Sequence, residues 1–415
     1  MKILFINISD IIGGAAIAAR RLGKGLEKYH STENIFVVRT KKTTEENVFA
    51  TRRNQFEQVS ERWFNIASNL LGLQYQYLPF SPKVILQKTL EFKPDVISLH
   101  NTIGGYFSTS LLIELSKIAP VVWTLHDMWA FTGNAAYTFG DTSWKEMKNS
   151  KSNTHTFPFI GINTGGMLLR QKKRIYSKSD LTIVTPSDWL CSLAKESPVF
   201  EGKDVHHIFN GIDLELFSPK PKAGIRKKLN IPPEAKVIMF SAEKLKNNAR
   251  KGLGDLMKIL RVINGRTDSK VHLLMLGEGM PEGLEEFNNF YVHPTGYVQD
   301  EAKMAEYLSC SDVFVFPSRA DNLPNVLVES IASGTPAVTF DIGGCGEIIK
   351  NDVSGCLIEP FNIEKFAEET LRLLSSDEKL KELSLSSRKF AEGNFSLKSM
   401  SDNYYRLFER KIRKK

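Results

Sequence analysis

Two carboxylates lie eight residues apart in the stretch DVFVFPSRADNLPNVLVESIASGTPAVTF, residues 312–340. Asp321 follows the apolar run VFVF, and Glu329 falls among Val, Leu and Ile. Ionised carboxylates accept hydrogen bonds from adjacent hydroxyls, such as those of a ribose or hexose. Pro324 suits the first turn of a helix, where its missing N–H costs nothing, and Gly334 suits the end of that helix. The helix start favours an anion. One βαβ unit thus offers a carboxylate, an anion-binding helix end and a second carboxylate, which suits a sugar on one side of a phosphate and a ribose on the other. The plainer alternative is an acid aiding the helix dipole plus an incidental buried Glu. It leaves a glutamate in an apolar helix without a reason. FDIGGCGEI follows, with Gly343 and Gly344 suited to close backbone approach at another strand end.

Three other places carry chemistry. In FSAEKLKNNARKGLGDL (240–256), Lys244, Lys246, Arg250 and Lys251 crowd the chain before Gly252 and a helical pattern. Cations there suit a phosphate, although a lone basic cluster is more often a surface loop. In WTLHDMWAFTG (123–133), His126 and Asp127 follow an apolar run. A histidine so placed hydrogen-bonds a hydroxyl or moves a proton; alternatively its Asp neighbour holds it as a structural residue. His100, after DVISL, is placed in the same way. In ISDIIGGAAIAARRLGKGL, Gly13 and Gly14 precede Ala15, Ala18, Ala19, Leu22 and Leu26 at helical spacing. Such glycines let a backbone approach an anion at a helix start, or simply form a tight turn. The spacing is not G-x-G-x-x-G, so a nicotinamide cofactor is not supported.

These residues must be positioned by alternating strands and helices. KILFIN, IFVV, DVISL, PVVWTL and LTIV read as buried parallel strands. VHHIFNGIDLELFSPK (205–220) leaves that pattern, a basic Pro-containing linker follows near 210–235, and VIMFS, VHLLML, VFVF and PAVTF restart it. Residues 362–412 read as helices only. Two α/β series in 415 residues imply two doubly wound domains. In such sheets ligands bind at the carboxyl ends of the strands.

Composition excludes other classes. Apolar content of 42% and charged content of 25% describe a globular chain. Cys191, Cys310, Cys345 and Cys356 form no C-x-x-C pair, which argues against a zinc site or disulfide framework and fits a reducing cytoplasm. The start MKILFINISD is too polar for a signal peptide, and no run approaches a membrane span. The net charge of +8 suits an anionic ligand or membrane surface, or is simply a basic solvated face. No compact nucleic-acid motif is present, so nucleic acid is not expected as a partner.

The ordered set GGAAIAARRL, WTLHDMWAFTG, TPSDWL, IFNGIDLELFSP, ARKG and PSRADNLPNVLVESIASGTPAVTFDIGG resembles the group 1 family of retaining, nucleotide-sugar-dependent glycosyltransferases with the GT-B fold. It is most similar to the bacterial branch that builds cell-surface polysaccharide. The resemblance implies an N-terminal acceptor-side Rossmann-like domain over 1–208, a nucleotide-sugar-binding domain over 209–390, and a C-terminal helix, 391–415, returning to the first. It places Asp321 on the donor sugar, Glu329 on the ribose, and backbone groups from Asn322 and Leu323 through Pro324 and Asn325 to Val326 on the diphosphate. Lys251 matches the cation that neutralises the leaving diphosphate. Gly14 matches the glycine that approaches the diphosphate, with Gly13 beside it as a further donor-binding candidate, and His126 matches the histidine near the donor sugar. The loop 296–300, with Val298, matches the backbone that reads the base. The family's second cation, normally in a GRL triplet, is absent from SAEKLK; Lys244, Lys246 or Arg250 stands in for it. Close relatives continue WTLHDMWAFTG into a cysteine-bearing insert, whereas this chain reads GNAAYTFGDTSW and has no further histidine before His155.

The implied reaction moves a hexose or N-acetylhexosamine from a nucleotide diphosphate, with UDP the commonest in the family, to a glycan acceptor, lipid-linked, in surface polysaccharide synthesis. No cofactor is expected: no Asp-x-Asp metal motif appears, and protein cations would stabilise the departing charge. Asn210 to Asp213 is the hinge candidate. The rival readings are a GT-B-fold nucleotide-sugar epimerase and a non-catalytic nucleotide-sugar-binding subunit. For the acceptor, FEQVSERWFNIASNLLGLQYQYLPF (56–80) admits two readings. It is an interfacial helix meeting a lipid-linked acceptor at the inner face of the membrane, or, as the simpler expectation, an ordinary core helix. Arg52, Arg53, Lys83 and Lys88 would suit an anionic membrane or pyrophosphate.

Overall fold

The apolar runs become two parallel sheets. The structure, a computed structural model, describes residues 1–52, 54–150, 157–244 and 249–413. The chain divides into two compact units, residues 1–211 with 398–415, and residues 212–397. The break after Gly211 falls inside the expected hinge segment.

The first unit holds β1 (Lys2–Ser9), β2 (Glu33–Thr40), β3 (Val48–Ala50), β4 (Val96–Leu99), β5 (Val121–Thr124), β6 (Leu181–Thr185) and β7 (Asp204–His207), in the order β3-β2-β1-β4-β5-β6-β7. All pairings are parallel. β4, β5 and β6 are buried along their whole length, as continuous apolar runs covered on both faces must be. β7 corrects the reading that the sheet ends before 205. It lies at the sheet edge and is only half-buried, so Asp204, His206 and His207 are tolerated in it.

The second unit holds β8 (Lys236–Lys244), β9 (Val271–Glu278), β10 (Phe290–Gly296), β11 (Val313–Phe316), β12 (Ala337–Phe340) and β13 (Gly355–Ile358), in the order β10-β9-β8-β11-β12-β13. The expected linker is not slack throughout. It contains the helix Lys222–Lys228, whose buried Arg226 makes two 2.9 Å bonds to Asp312, while Asp312 also accepts from the Val237 N–H at 2.8 Å.

The C-terminal stretch is helical as read, but the helices break differently. One ends at Asn394, and Leu397–Arg413 docks on the first unit. There the Tyr404 hydroxyl meets Thr124 Oγ1 at 2.9 Å, and His30 stacks on Tyr405 with ring centroids 4.1 Å apart.

Candidate active site

Each sheet reverses strand order once, β1 against β4 and β8 against β11, and each of these points gathers titratable groups at the carboxyl ends of its strands. The two clusters are built differently.

In the second unit, Asp321 sits in the loop after β11. Lys251 Nζ donates to its Oδ2 at 2.5 Å and Arg250 Nη1 at 3.3 Å. Arg250 Nη1 also donates to the Ala320 carbonyl at 2.8 Å. Burial alone would raise the Asp321 pKa, but the adjacent Lys251 and Arg250 charges prevail, and the carboxyl is held below the usual carboxylate range. Lys251 also lies 5.4 Å from the Phe316 ring centroid. Two cations face one carboxylate, so the group carries a surplus positive charge.

Glycines lock this loop from both sides. Gly252 has φ +74°, and a Cβ there would lie 1.7 Å from the Pro317 carbonyl oxygen. Gly343 has φ +54°, and a Cβ there would lie 1.7 Å from the Asp321 carbonyl oxygen. The Gly344 N–H then donates to the Asn322 carbonyl at 2.8 Å. The close backbone approach expected at Gly343 is present, and what it approaches is the backbone of Asp321. On the β8 side, the Arg319 N–H and Ser318 Oγ both donate to the Arg250 carbonyl.

Pro324 caps the helix Asn325–Ala332 from just outside it, one residue short of the expected first turn, with φ −65°. No side chain caps this helix start, so it suits an anion. Glu329 lies in its second turn, 6% exposed. Asn322 and Leu323 are buried; Asn325 and Val326 are half-buried. Val298 lies past the end of edge strand β10, two strands removed from β8, and is half-buried. Lys246 falls outside the described residues. Lys244 is the last residue of β8, paired with Glu278.

In the first unit, His126 follows β5 and His100 follows β4. Adjacent strands bring His100 Nδ1 within 3.1 Å of His126 Nε2, and Ser98 Oγ lies 3.1 Å from His100 Nε2. Burial pushes the His126 pKa down to about 4 and that of His100 well below its ordinary value, so both rings are neutral at pH 7. The alternative of a histidine held by its Asp neighbour does not describe this pair: Asp127 Oδ1 accepts from the Trp129 N–H at 2.9 Å, whereas the ring partner of His126 is His100. The cavity beside them is small, about 10 Å³, room for about one water.

Lys172 was not legible as part of this region. It is buried, donates to the Trp129 and Thr132 carbonyls at 2.6 and 2.9 Å, and lies 3.9 Å from the Trp129 ring centroid. Burial lowers its pKa to about 7. Its only sequence signal is a lysine at a helical position otherwise filled by Leu168, Leu169 and Ile175. Gly13 begins the helix Gly14–His30 with φ +86°, and its carbonyl accepts from the Ala16 and Ile17 N–H groups. Space around it is open.

Known proteins share both units. Residues 12–216 match Glycosyltransferase Family 4, and residues 235–376 match Glycosyl transferases group 1. A D-inositol 3-phosphate glycosyltransferase of Segniliparus rotundus is 26% identical over 215 residues, 49% of this chain and 46% of that protein. The putative colanic acid biosynthesis glycosyl transferase WcaC of Escherichia coli K12 is 25% identical over 239 residues, 55% of this chain and 54% of that one. The chain thus spans about half the length of these curated relatives. A crystal structure of Anabaena HepE in complex with UDP-glucose superposes with a TM-score of 0.67 at 15% identity, covering 99% of this chain and 100% of that one. With two parallel sheets, each flanked by helices, the chain has the two-domain α/β GT-B fold, and glycosyltransferase family matches cover a stretch of each unit, Family 4 over residues 12–216 and group 1 over residues 235–376.

Proposed function

We propose that this protein is a retaining glycosyltransferase that moves a hexose or N-acetylhexosamine from UDP to a glycan acceptor carried on a lipid, in surface polysaccharide synthesis. The observation that carries the donor half is the Asp321–Lys251–Arg250 group beside the uncapped helix start at Asn325. Asp321 accepts a sugar hydroxyl. Lys251 and Arg250, two cations against one acid, meet the diphosphate. Glu329, in the same helix, takes the ribose.

Cleavage of the sugar–phosphate bond develops negative charge on the departing diphosphate. Preorganised cations and helix N–H groups stabilise that charge without rearranging, usually the largest catalytic effect. The reaction is proposed to need no metal, with Lys251 and Arg250 as the charge-neutralising groups. Arg250 fills the place of the missing family arginine, because it reaches the Asp321 carboxylate at 3.3 Å. His126, neutral, offers a hydrogen bond to the donor sugar rather than a charge.

UDP is favoured because the HepE neighbour was solved with UDP-glucose. The polysaccharide role is supported by the similarity to WcaC. A second acceptor, an inositol phosphate, is favoured by the similarity to the Segniliparus glycosyltransferase. Thermal unfolding with UDP, GDP, UDP-glucose and UDP-N-acetylglucosamine tests the donor. A ligand at about 100 times its Kd adds about 2.7 kcal/mol to the native state. The UDP shift should vanish in Lys251→Ala, and the sugar-specific increment in Asp321→Ala. No shift from any nucleotide in folded protein would overturn the proposal. Radiolabelled transfer to a lipid-linked glycan against inositol phosphate separates the two acceptors.

A further inference from the structure

The helix Gln55–Leu70 is built inside out. Its inward arc carries Glu61, Asn65, Ser68 and Asn69; Glu61 and Ser68 are its only buried side chains. Its outward arc carries Phe56, Val59, Trp63, Ile66 and Leu70, at helical spacings of three and four. Phe56 is 72% exposed, Trp63 66% and Leu70 53%. The expectation of an ordinary core helix is overturned.

Polar chemistry holds the helix in this orientation. Arg52 Nε donates to Glu61 at 2.8 Å, and Glu61 accepts from the Phe80 and Ser81 N–H groups at 3.0 and 2.6 Å and from Ser81 Oγ. Asn54 caps the N-terminus by accepting from the Glu57 N–H. At the other end the Asn69 carbonyl accepts from the Gly161 N–H, which brings exposed Ile162 beside Leu70 and Leu71 and extends the apolar face. A network this specific presents the face outward at a cost that an unused surface would not justify.

We propose that this face is a membrane-docking surface that enters the headgroup boundary of an anionic bilayer. Charge decides the occupant. Among the exposed side chains of the helix the only charged one is Arg62, at the flank of the apolar stripe; of its two acids, Glu61 is buried and Glu57 is half-buried. The chain carries a net charge of +8. An aromatic stripe with a basic flank and no exposed acid matches an anionic lipid interface, and Trp63 and Phe56 suit its depth. Among the described residues no helix is long and apolar enough to cross a membrane, so docking is from one side. The proposal rests on the lipid-borne acceptor for its purpose but not for its evidence. Vesicle binding is measured without sugar transfer, so either idea can fail alone.

The test is flotation of the full chain with vesicles of phosphatidylglycerol and phosphatidylcholine against phosphatidylcholine alone. The wild type should float with the anionic vesicles. Phe56→Ser/Trp63→Ser, which alters exposed positions only and should keep the wild-type melting temperature, should bind about 10-fold or more weaker. Arg62→Gln should weaken binding and its salt dependence. Brominated lipid should quench Trp63 in the wild type, a readout that needs no variant. Equal binding to neutral and anionic vesicles, unchanged binding in the double variant, or no binding by folded wild type would overturn the proposal. So would a concentration-dependent dimer lost in the double variant without vesicle binding, which would assign the face to a second copy of the chain.

Discussion

At the carboxyl ends of β4 and β5, two imidazoles bond to each other and burial drives both neutral. At the carboxyl ends of β8 and β11, two cations share one oxygen of a carboxylate that stays ionised despite burial. Both clusters stand where strand order reverses in a parallel sheet. The first is desolvated without compensating charge; the second is desolvated with it. A histidine that stays neutral can orient a hydroxyl but cannot offset a diphosphate. An over-compensated cation pair can. The contrast separates a cluster suited to orienting a hydroxyl from one suited to offsetting phosphate charge.

The largest expected effect lies in the charged cluster. Lys251→Ala should lower kcat/KM for donor turnover by about 10²–10³-fold, the scale seen when one preorganised charge-stabilising donor is lost. Lys251→Arg should recover part of it. Lys251→Ala should also raise the Asp321 pKa, because it removes the nearer of two cations. If Lys251→Ala turns over donor at the wild-type rate, the charge contrast between the units has no catalytic meaning.

The next effect concerns the frame around Asp321. Gly343→Ala places a Cβ 1.7 Å from the Asp321 carbonyl oxygen at φ +54°. Strain of this kind costs about 1–3 kcal/mol before the clash is relieved. Denaturant unfolding should show that loss. Gly13→Ala, at φ +86° but with nothing within 4 Å, should cost less. Equal losses at the two positions would mean that close packing against the Asp321 loop is not what Gly343 supplies.

Much of this was legible in the sequence. The runs that became β4, β5, β11 and β12 are continuous apolar segments, so their carboxyl ends, and with them His126 and Asp321, could be placed from pattern alone. β7 was not legible, because an edge strand of the type DVHH is half-buried and lacks an apolar run. The helix Gln55–Leu70 misled for the opposite reason. Its aromatics read as core, because periodicity reports that a helix has two faces and not which one is inward. The inward face was set by Arg52 and Ser81 meeting Glu61, contacts across 9 and 20 residues. Gly343 carried an ambiguous signal: a glycine at a strand end makes room for a ligand or for the chain, and only the position of the Asp321 carbonyl decides.

The smallest effect sharpens the neutral half of the comparison. The unfolded chain protonates histidine near pH 6.5, whereas in the folded chain His126 does so at about 4 and His100 well below its ordinary value. Between these values the unfolded state binds more protons, so stability falls as pH drops from about 6.5 toward 4. The contribution is fully present above pH 6.5. Asp321 adds an acid-side loss of its own, but only below the ordinary carboxylate range, because its folded pKa is depressed. The two clusters should therefore separate on the pH axis. His126→Gln, which keeps a polar group beside His100, should flatten the stability profile between pH 4 and 6.5 and leave the more acidic limb unchanged. Asp321→Asn should do the reverse. Urea midpoints measured from pH 3 to 8 on both variants would show it, and a His126→Gln profile parallel to the wild type would mean that the imidazole pair is not held neutral by burial.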